Sequence, residues 1–173
     1  LVMGLSCDWP TNGAYRTDDY AGVPVLTVRG RDGRLRAFLN TCRHRGAKVA
    51  TGCGDARSFR CPYHAWVYGD DGTLRAVPDE DSAFPGVKDS RPGLTPLPLA
   101  EKYGMVWVQP SPAADGSPDL DIDPWLCGLE ADLKFWKLDT YHFHARHVHY
   151  DEMNWKLLVD TFLEAITSAF CTA

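Results

Sequence analysis

The chain has 173 residues, 45% of them hydrophobic and 24% charged, enough for one real core and far from the composition of a disordered chain. Eighteen Lys and Arg stand against 23 Asp and Glu, a net charge of −5, which argues against a general binder of nucleic acid or anionic membrane. No apolar run approaches the roughly 18 residues of a membrane span, and no charged segment followed by an apolar one opens the chain, so it reads as cytoplasmic; its first residue is Leu1, which leaves the true N-terminus open.

The first predicted element is a hairpin. Val25 to Val28 and Leu35 to Leu39 alternate apolar and polar residues on either side of Gly30-Arg31-Asp32-Gly33, the period of two and the Asp-Gly turn that a hairpin needs. The pattern returns in Trp66-Val67-Tyr68, Gly69-Asp70-Asp71-Gly72 and Thr73 to Val77, and Met105-Val106-Trp107-Val108 reads as a buried strand. A small all-β unit is therefore expected up to about residue 110. Residues 111–118, rich in Pro, Ser, Ala, Asp and Gly, read as a linker, and 119–173 as a second segment. That segment is expected to hold a helix from Asp119 to Leu133 and a strand from Lys137 to Tyr150. A final helix follows, with Trp155, Leu158, Val159, Phe162, Leu163 and Ile166 on one apolar stripe. An apolar stripe is usually core, and with its partner elements missing this helix is expected to be poorly packed.

Six Cys are too few for a disulfide scaffold and make metal ligation the first chemistry to test. The informative stretch is CRHRGAKVATGCGDARSFRCPYHAW, where Cys42-x-His44 is followed after 16 residues by Cys61-x-x-His64. Two thiolates and two imidazoles suit iron–sulfur or zinc. Structural zinc sites with two Cys and two His usually pair like with like at close spacing. Here each pair mixes one Cys with one His, which suits a two-iron centre with both Cys on one iron and both His on the other. Cys53 reads as a free or buried thiol, and Cys7, Cys127 and Cys171 have no spaced partner.

These residues resemble the Rieske [2Fe-2S] domain of ring-hydroxylating oxygenase α subunits, with CRHRG and CPYHAW as that family writes them, over residues 1–110. The resemblance implies a mainly β fold, a Rieske iron–sulfur domain followed by an incomplete α+β helix-grip catalytic segment. It implies that Cys42 and Cys61 hold one iron of a [2Fe-2S] cluster and His44 and His64 the other. Rieske proteins of cytochrome bc complexes carry an additional disulfide where this chain has Ala47 and Tyr63, so the oxygenase and ferredoxin branch is favoured. A free-standing Rieske ferredoxin and a zinc-stapled interaction module are the alternatives.

NWKLLVDTFLEA resembles the entry to the oxygenase catalytic domain, where a helix continues into Tyr-His-x-x-x-x-His and holds a mononuclear Fe(II). By the resemblance Glu164 is the carboxylate that bridges between subunits to a neighbour's His64, and the iron ligands fall on positions 167 and 172. Those are Thr167 and Thr172, so this chain alone is expected to be inactive as an oxygenase. The codons of the tail from Ile166 to Thr172, read one base out of frame, can spell Tyr-His-x-x-x-Leu-His at the family spacing. A single-base loss near the Ala165 codon is therefore expected, with a divergent end or a fragment as the alternative. The partners implied are a reductase or ferredoxin as electron donor, a small organic, aromatic substrate and a homotrimer, with no nucleic acid and no membrane. His142 and His144 would share one face of a strand, as would His147 and His149, and such alternation reads as a solvated strand face rather than a second metal site.

Overall fold

The computed structural model describes residues 1–20, 22–91, 93–142, 144–145 and 152–163, with residues 161–163 described by backbone alone. Packing divides the chain into Leu1–Phe143 and His144–Ala173.

The first unit is built on short strands: β1 (Val2–Leu5), β2 (Ala14–Tyr20), β3 (Val23–Arg29), β4 (Leu35–Leu39), β5 (Cys53–Asp55), β6 (Ser58–Arg60), β7 (Val67–Gly69), β8 (Leu74–Ala76), β9 (Pro96–Leu97), β10 (Leu99–Lys102) and β11 (Met105–Val108). They form three antiparallel sheets in the orders β5-β2-β3-β4-β9, β1-β11-β10 and β6-β7-β8.

Both expected hairpins form, and they use one turn chemistry. In the first, Gly30 N–H donates to the Arg34 carbonyl at 2.9 Å while Asp32 Oδ1 accepts the Arg34 N–H at 3.1 Å. In the second, Gly69 N–H donates to the Thr73 carbonyl at 2.9 Å and Asp71 Oδ1 accepts the Thr73 N–H at 3.0 Å. Gly33 and Gly72 sit at φ +77° and +82°, the left-handed position a three-residue hairpin loop reserves for glycine.

Strand β3 is buried on both faces, because the five-stranded sheet is the middle layer. Leu26 and Val28, with Phe38 of β4, face a core shared with Phe59, Trp66, Tyr68 and Leu74. Val25, with Leu35 and Ala37, faces the opposite core of Met3, Trp9, Leu97, Val106 and Val108. Successive strand residues point to opposite faces, so a central strand needs a near-continuous apolar run, and each fully buried aliphatic contributes about 1.5–3 kcal/mol. Arg29 ties the layers at their edge, with a bidentate ion pair to Glu101 of β10 at 2.7 and 3.0 Å.

The segment after β11 departs from expectation. Residues 111–118 are irregular, as their composition implies, yet the chain then returns to the same unit. Leu99 N–H donates to the Pro118 carbonyl at 2.9 Å, and Leu120 N–H donates to the Leu99 carbonyl at 3.2 Å. Ile122, Leu126 and Leu133 then pack on Ala100, Tyr103, Met105 and Trp107 of the β10–β11 layer. The division by packing thus falls after Phe143 rather than at 111–118. The single helix expected from Asp119 to Leu133 is two short ones, α1 (Asp123–Leu126) and α2 (Glu130–Trp136). Pro124 sets the start of α1, and Cys127 and Gly128, at φ +50° and +96°, break the helical path between them.

The strand expected from Lys137 to Tyr150 does not form over its described part. Lys137 turns left-handed at φ +50°, Leu138–Thr140 make a 3₁₀ turn, and Tyr141, His142, His144 and Ala145 lie outside any strand. Alternation favours a strand only where a neighbouring edge accepts its hydrogen bonds. His142 and His144 are exposed, and His147 and His149 lie outside the described residues.

In the second unit the final helix forms as α3 (Trp155–Leu163). Asn154 Oδ1 caps it by accepting the Lys156 N–H at 3.0 Å. Its apolar residues Trp155, Leu157, Leu158 and Val159 are exposed.

Candidate metal centre

The loop after β4 and the loop between β6 and β7 are built alike. In the first, the Cys42 carbonyl accepts the Gly46 N–H at 2.9 Å and the Cys42 N–H donates to the Ala47 carbonyl at 2.8 Å. In the second, the Cys61 carbonyl accepts the Ala65 N–H at 3.0 Å and the Cys61 N–H donates to the Trp66 carbonyl at 2.8 Å. Each turn thus closes from its Cys to the residues four and five positions on. The fourth residue takes the left-handed conformation, Gly46 at φ +76° and Ala65 at φ +57°. Such a turn holds a Cys at its base and a His within it.

Both thiols belong to the core beneath the turns, Cys42 at 4% and Cys61 at 3% exposure. The imidazoles lie together above them: the rings of His44 and His64 are 4.6 Å apart between centroids. His44 stacks on Trp66 at 5.0 Å, nearly parallel, and meets the edge of Phe84 at 5.5 Å. Tyr63, 60% exposed, covers His64 with ring centroids at 3.8 Å.

Two residues not expected from the spacing hold this arrangement. Asn40, at 1% exposure, accepts the Val49 and Ala50 N–H groups on Oδ1 at 3.0 and 3.2 Å and donates to the Ala50 carbonyl at 2.9 Å, closing the base of the first loop. Tyr68, fully buried, places its hydroxyl 3.2 Å from Cys42 Sγ, and the same oxygen accepts the Arg43 N–H at 2.9 Å. The available signal was position: Asn40 stands two residues before Cys42, and Tyr68 is the apolar-facing residue of the strand that follows the second loop.

Burial pushes the Cys42 thiol up, with the neighbouring Cys61 thiol adding to it against the Tyr68 hydrogen bond, and burial pushes the Tyr68 hydroxyl well above its ordinary range. Burial, then His64, Arg45 and Arg91, holds His44 below the usual imidazole range. His44 is therefore neutral near pH 7, the form that ligates metal.

The donor set fits a two-iron cluster. Nδ1 of His44 is buried with no hydrogen-bond partner among the described residues, a cost of about 1–3 kcal/mol unless another group takes the lone pair. Among the described residues no group of three or more His, Cys, Asp or Glu could hold one metal ion. A four-ligand zinc site needs all its donors on one ion, whereas a sulfide-bridged pair of irons takes two thiolates on one metal and two imidazoles on the other. A cleft of about 440 Å³ bordered by Arg36, Phe38, Thr73, Gly93, Leu94 and Asp119 includes none of the four donors.

The other predicted positions lie elsewhere. Cys53 on β5 and Cys127 are exposed free thiols, and Glu164, Thr167 and Thr172 lie outside the described residues. No helix among the described residues is long and apolar enough to cross a membrane.

A model of the Rieske [2Fe-2S] domain matches residues 1–98. The chain is 37% identical over 122 residues to the biphenyl 2,3-dioxygenase subunit alpha of Rhodococcus jostii, covering 70% of this chain and 26% of that protein. It is 33% identical over 162 residues to the glycine betaine monooxygenase oxygenase subunit of Chromohalobacter salexigens, covering 92% and 35%. The crystal structure of the quaternary ammonium Rieske monooxygenase CntA with L-carnitine matches with a TM-score of 0.82 at 28% identity, over 98% of this chain and 47% of the other. The chain thus spans between a quarter and a half of the length of these proteins.

Proposed function

From the premise that this chain belongs to the Rieske [2Fe-2S] domain family, we propose that Cys42 and Cys61 hold one iron of the cluster and His44 and His64 the other, and that the domain relays electrons singly within an oxygenase. When bound, the cluster supplies one-electron redox chemistry at a potential raised by its neutral imidazoles relative to four thiolates. The chain's own residues prepare the site. The apolar core around Cys42 and Cys61 excludes water, Asn40 and the two turns fix the loops, and the Tyr68 hydroxyl, 3.2 Å from Cys42 Sγ, would donate to that sulfur once it is a thiolate.

The observation that carries this reading is the buried, partnerless Nδ1 of His44 beside His64, above two core thiols. Two alternatives lose support. A zinc module needs a four-donor arrangement on one ion, and a free-standing ferredoxin does not account for matches to oxygenase subunits over 92% and 98% of the chain. In this proposal the domain receives electrons from a reductase or ferredoxin and serves oxygen incorporation into a small organic substrate. The relatives' names include both biphenyl and glycine betaine, and the proposal is therefore kept to a small organic substrate rather than an aromatic one. Mononuclear iron, a trimer and the bridging role of Glu164 belong to the full-length relative and remain part of the proposal.

Anaerobic loading of the full chain with iron and sulfide tests it. The expected product holds iron and acid-labile sulfide in equal amounts, two of each per chain, with a reducible visible spectrum. His44→Cys should keep the colour and lower the midpoint potential, since an anionic thiolate replaces a neutral imidazole. Colourless protein, or protein that takes up only zinc, overturns the reading.

A further inference from the structure

The five-stranded sheet leaves a gap along its β4 edge. Gly30 N–H donates to the Arg34 carbonyl, and successive residues of a strand turn their backbone groups to opposite sides, so Leu35 presents its N–H and C=O away from β3. Ala37 and Leu39 share that side and are covered there. Ala37 stands opposite Leu97 of β9, and Leu39 N–H donates to the Thr95 carbonyl at 2.9 Å. Two residues further in that register Leu99 would stand opposite Leu35. Leu99 instead gives its N–H to the Pro118 carbonyl and its carbonyl to the Leu120 N–H. Leu35 is 8% exposed and pairs across the sheet only with Arg29, at a position where antiparallel strands exchange no hydrogen bond. Among the described residues its backbone N–H and C=O therefore have no partner, which is rare for a buried residue.

Leu35 borders the cleft of about 440 Å³, which runs along β4 from Arg34 to Phe38 and falls within the roughly 300–1,000 Å³ of ligand sites. Apolar side chains line it on both faces of the strand, Phe38 and Leu94 on one, Leu99 with Pro118 on the other. The Leu94 wall is fixed, because its N–H donates to the Gly72 carbonyl at 2.8 Å and Gly93 bridges to Thr73. At the rim the exposed Arg34 reaches the exposed Asp119 at only 3.5 Å, a pair worth little in water, so its guanidinium is open to a closer carboxylate. An open N–H and C=O on a strand edge call for a second backbone, and apolar hollows on alternate sides call for alternate side chains. We propose that this cleft binds an extended peptide of a partner protein, added antiparallel to β4. One peptide residue exchanges both hydrogen bonds with Leu35 and sets an apolar side chain toward Leu99 and Pro118. The residue before it sets an apolar side chain toward Phe38 and Leu94, and the residue after it brings a carboxylate opposite Arg34. None of the four cluster donors borders the cleft, so the inference stands apart from the cluster ligation.

The test titrates the full chain with acetyl-Val-Val-Glu-Thr-amide, a probe built to that pattern, by calorimetry, and follows amide hydrogen exchange at Leu35. Binding with slowed exchange at Leu35 is expected. Methylating the nitrogen of the second Val removes the proton destined for the Leu35 carbonyl and should weaken binding about tenfold. Arg34→Glu, a change at an exposed side chain, should reverse the order of affinity between the Glu probe and acetyl-Val-Val-Lys-Thr-amide. Equal affinity of the methylated probe, an unchanged order in Arg34→Glu, or no binding at roughly millimolar probe overturns the proposal. Protection of Leu35 that grows with protein concentration alone overturns it in favour of a second copy of this chain at the edge. Each of these outcomes leaves the count of iron and sulfide, and with it the cluster reading, untouched.

Discussion

The Tyr68 hydroxyl lies 3.2 Å from Cys42 Sγ and accepts the Arg43 N–H at 2.9 Å; toward a thiolate, which has no proton to give, the hydroxyl is the donor. A donor to a ligand sulfur favours the state with more negative charge, the reduced one. Tyr68→Phe keeps the ring in the core and removes that donor. Its midpoint potential should fall by roughly 40 mV, the equivalent of about 1 kcal/mol for one electron, as read by redox titration of the visible spectrum. An unchanged potential would show that the hydroxyl does not bear on the sulfur.

Asn40→Ala should be among the most damaging single changes in the domain. It strips the Val49 and Ala50 N–H groups of their shared acceptor and the Ala50 carbonyl of a donor, all at a buried position. Leaving such groups unpaired costs about 2–4 kcal/mol in all. The check is chemical denaturation of the loaded protein together with the rate at which it loses iron; a variant as stable as the parent, with equal iron retention, would contradict this role.

Ala65→Gly should stabilise the second loop. Ala65 holds φ +57° where the matching residue of the first loop is Gly46 at φ +76°, and a Cβ in the left-handed region costs about 1 kcal/mol. Glycine regains freedom when unfolded, so the net gain is a few tenths to about 1 kcal/mol. Gly46→Ala should shift stability the opposite way, and thermal melts of the two variants decide.

The tether of α1 to β10 should weaken in acid. The Lys102 ammonium, and after it the Tyr103 hydroxyl, holds the Asp123 carboxyl below its usual range. A carboxylate with a lowered folded pKa stabilises fully above its unfolded value, near 3.8, and that contribution is lost as pH falls through the folded pKa. Amide hydrogen exchange over residues 123–136 should therefore rise at low pH before that of β3 does, and Asp123→Asn should show the same rise at neutral pH. Exchange in this segment that keeps pace with β3 would count against it.

The legible parts were those whose signal lies within a few residues. Each Asp-Gly turn sits between its own two strands, so both hairpins were readable, and the Cys and His spacing needs only a short loop to bring its pair together. The path from Asp119 to Thr140 was not legible in this way. Apolar residues at helical spacing do not reveal that Cys127 and Gly128 reverse the backbone, and the alternation after Lys137 finds no strand edge in its described part. The likeness of NWKLLVDTFLEA to an oxygenase subunit agrees with relatives that match beyond residue 98.

Covalent order alone determined the proposed donor set, because Cys42, His44, Cys61 and His64 carry their chemistry in their side chains and their pairing in their spacing. The tertiary fold decided what surrounds them. Asn40 grips a loop nine and ten residues ahead, Tyr68 reaches a sulfur 26 residues behind it, and Arg91 crosses 48 residues to the first loop. Contacts of that reach depend on how the sheets stack, since a side chain's hydrogen-bond partner is whatever the folded chain puts within about 3 Å of it.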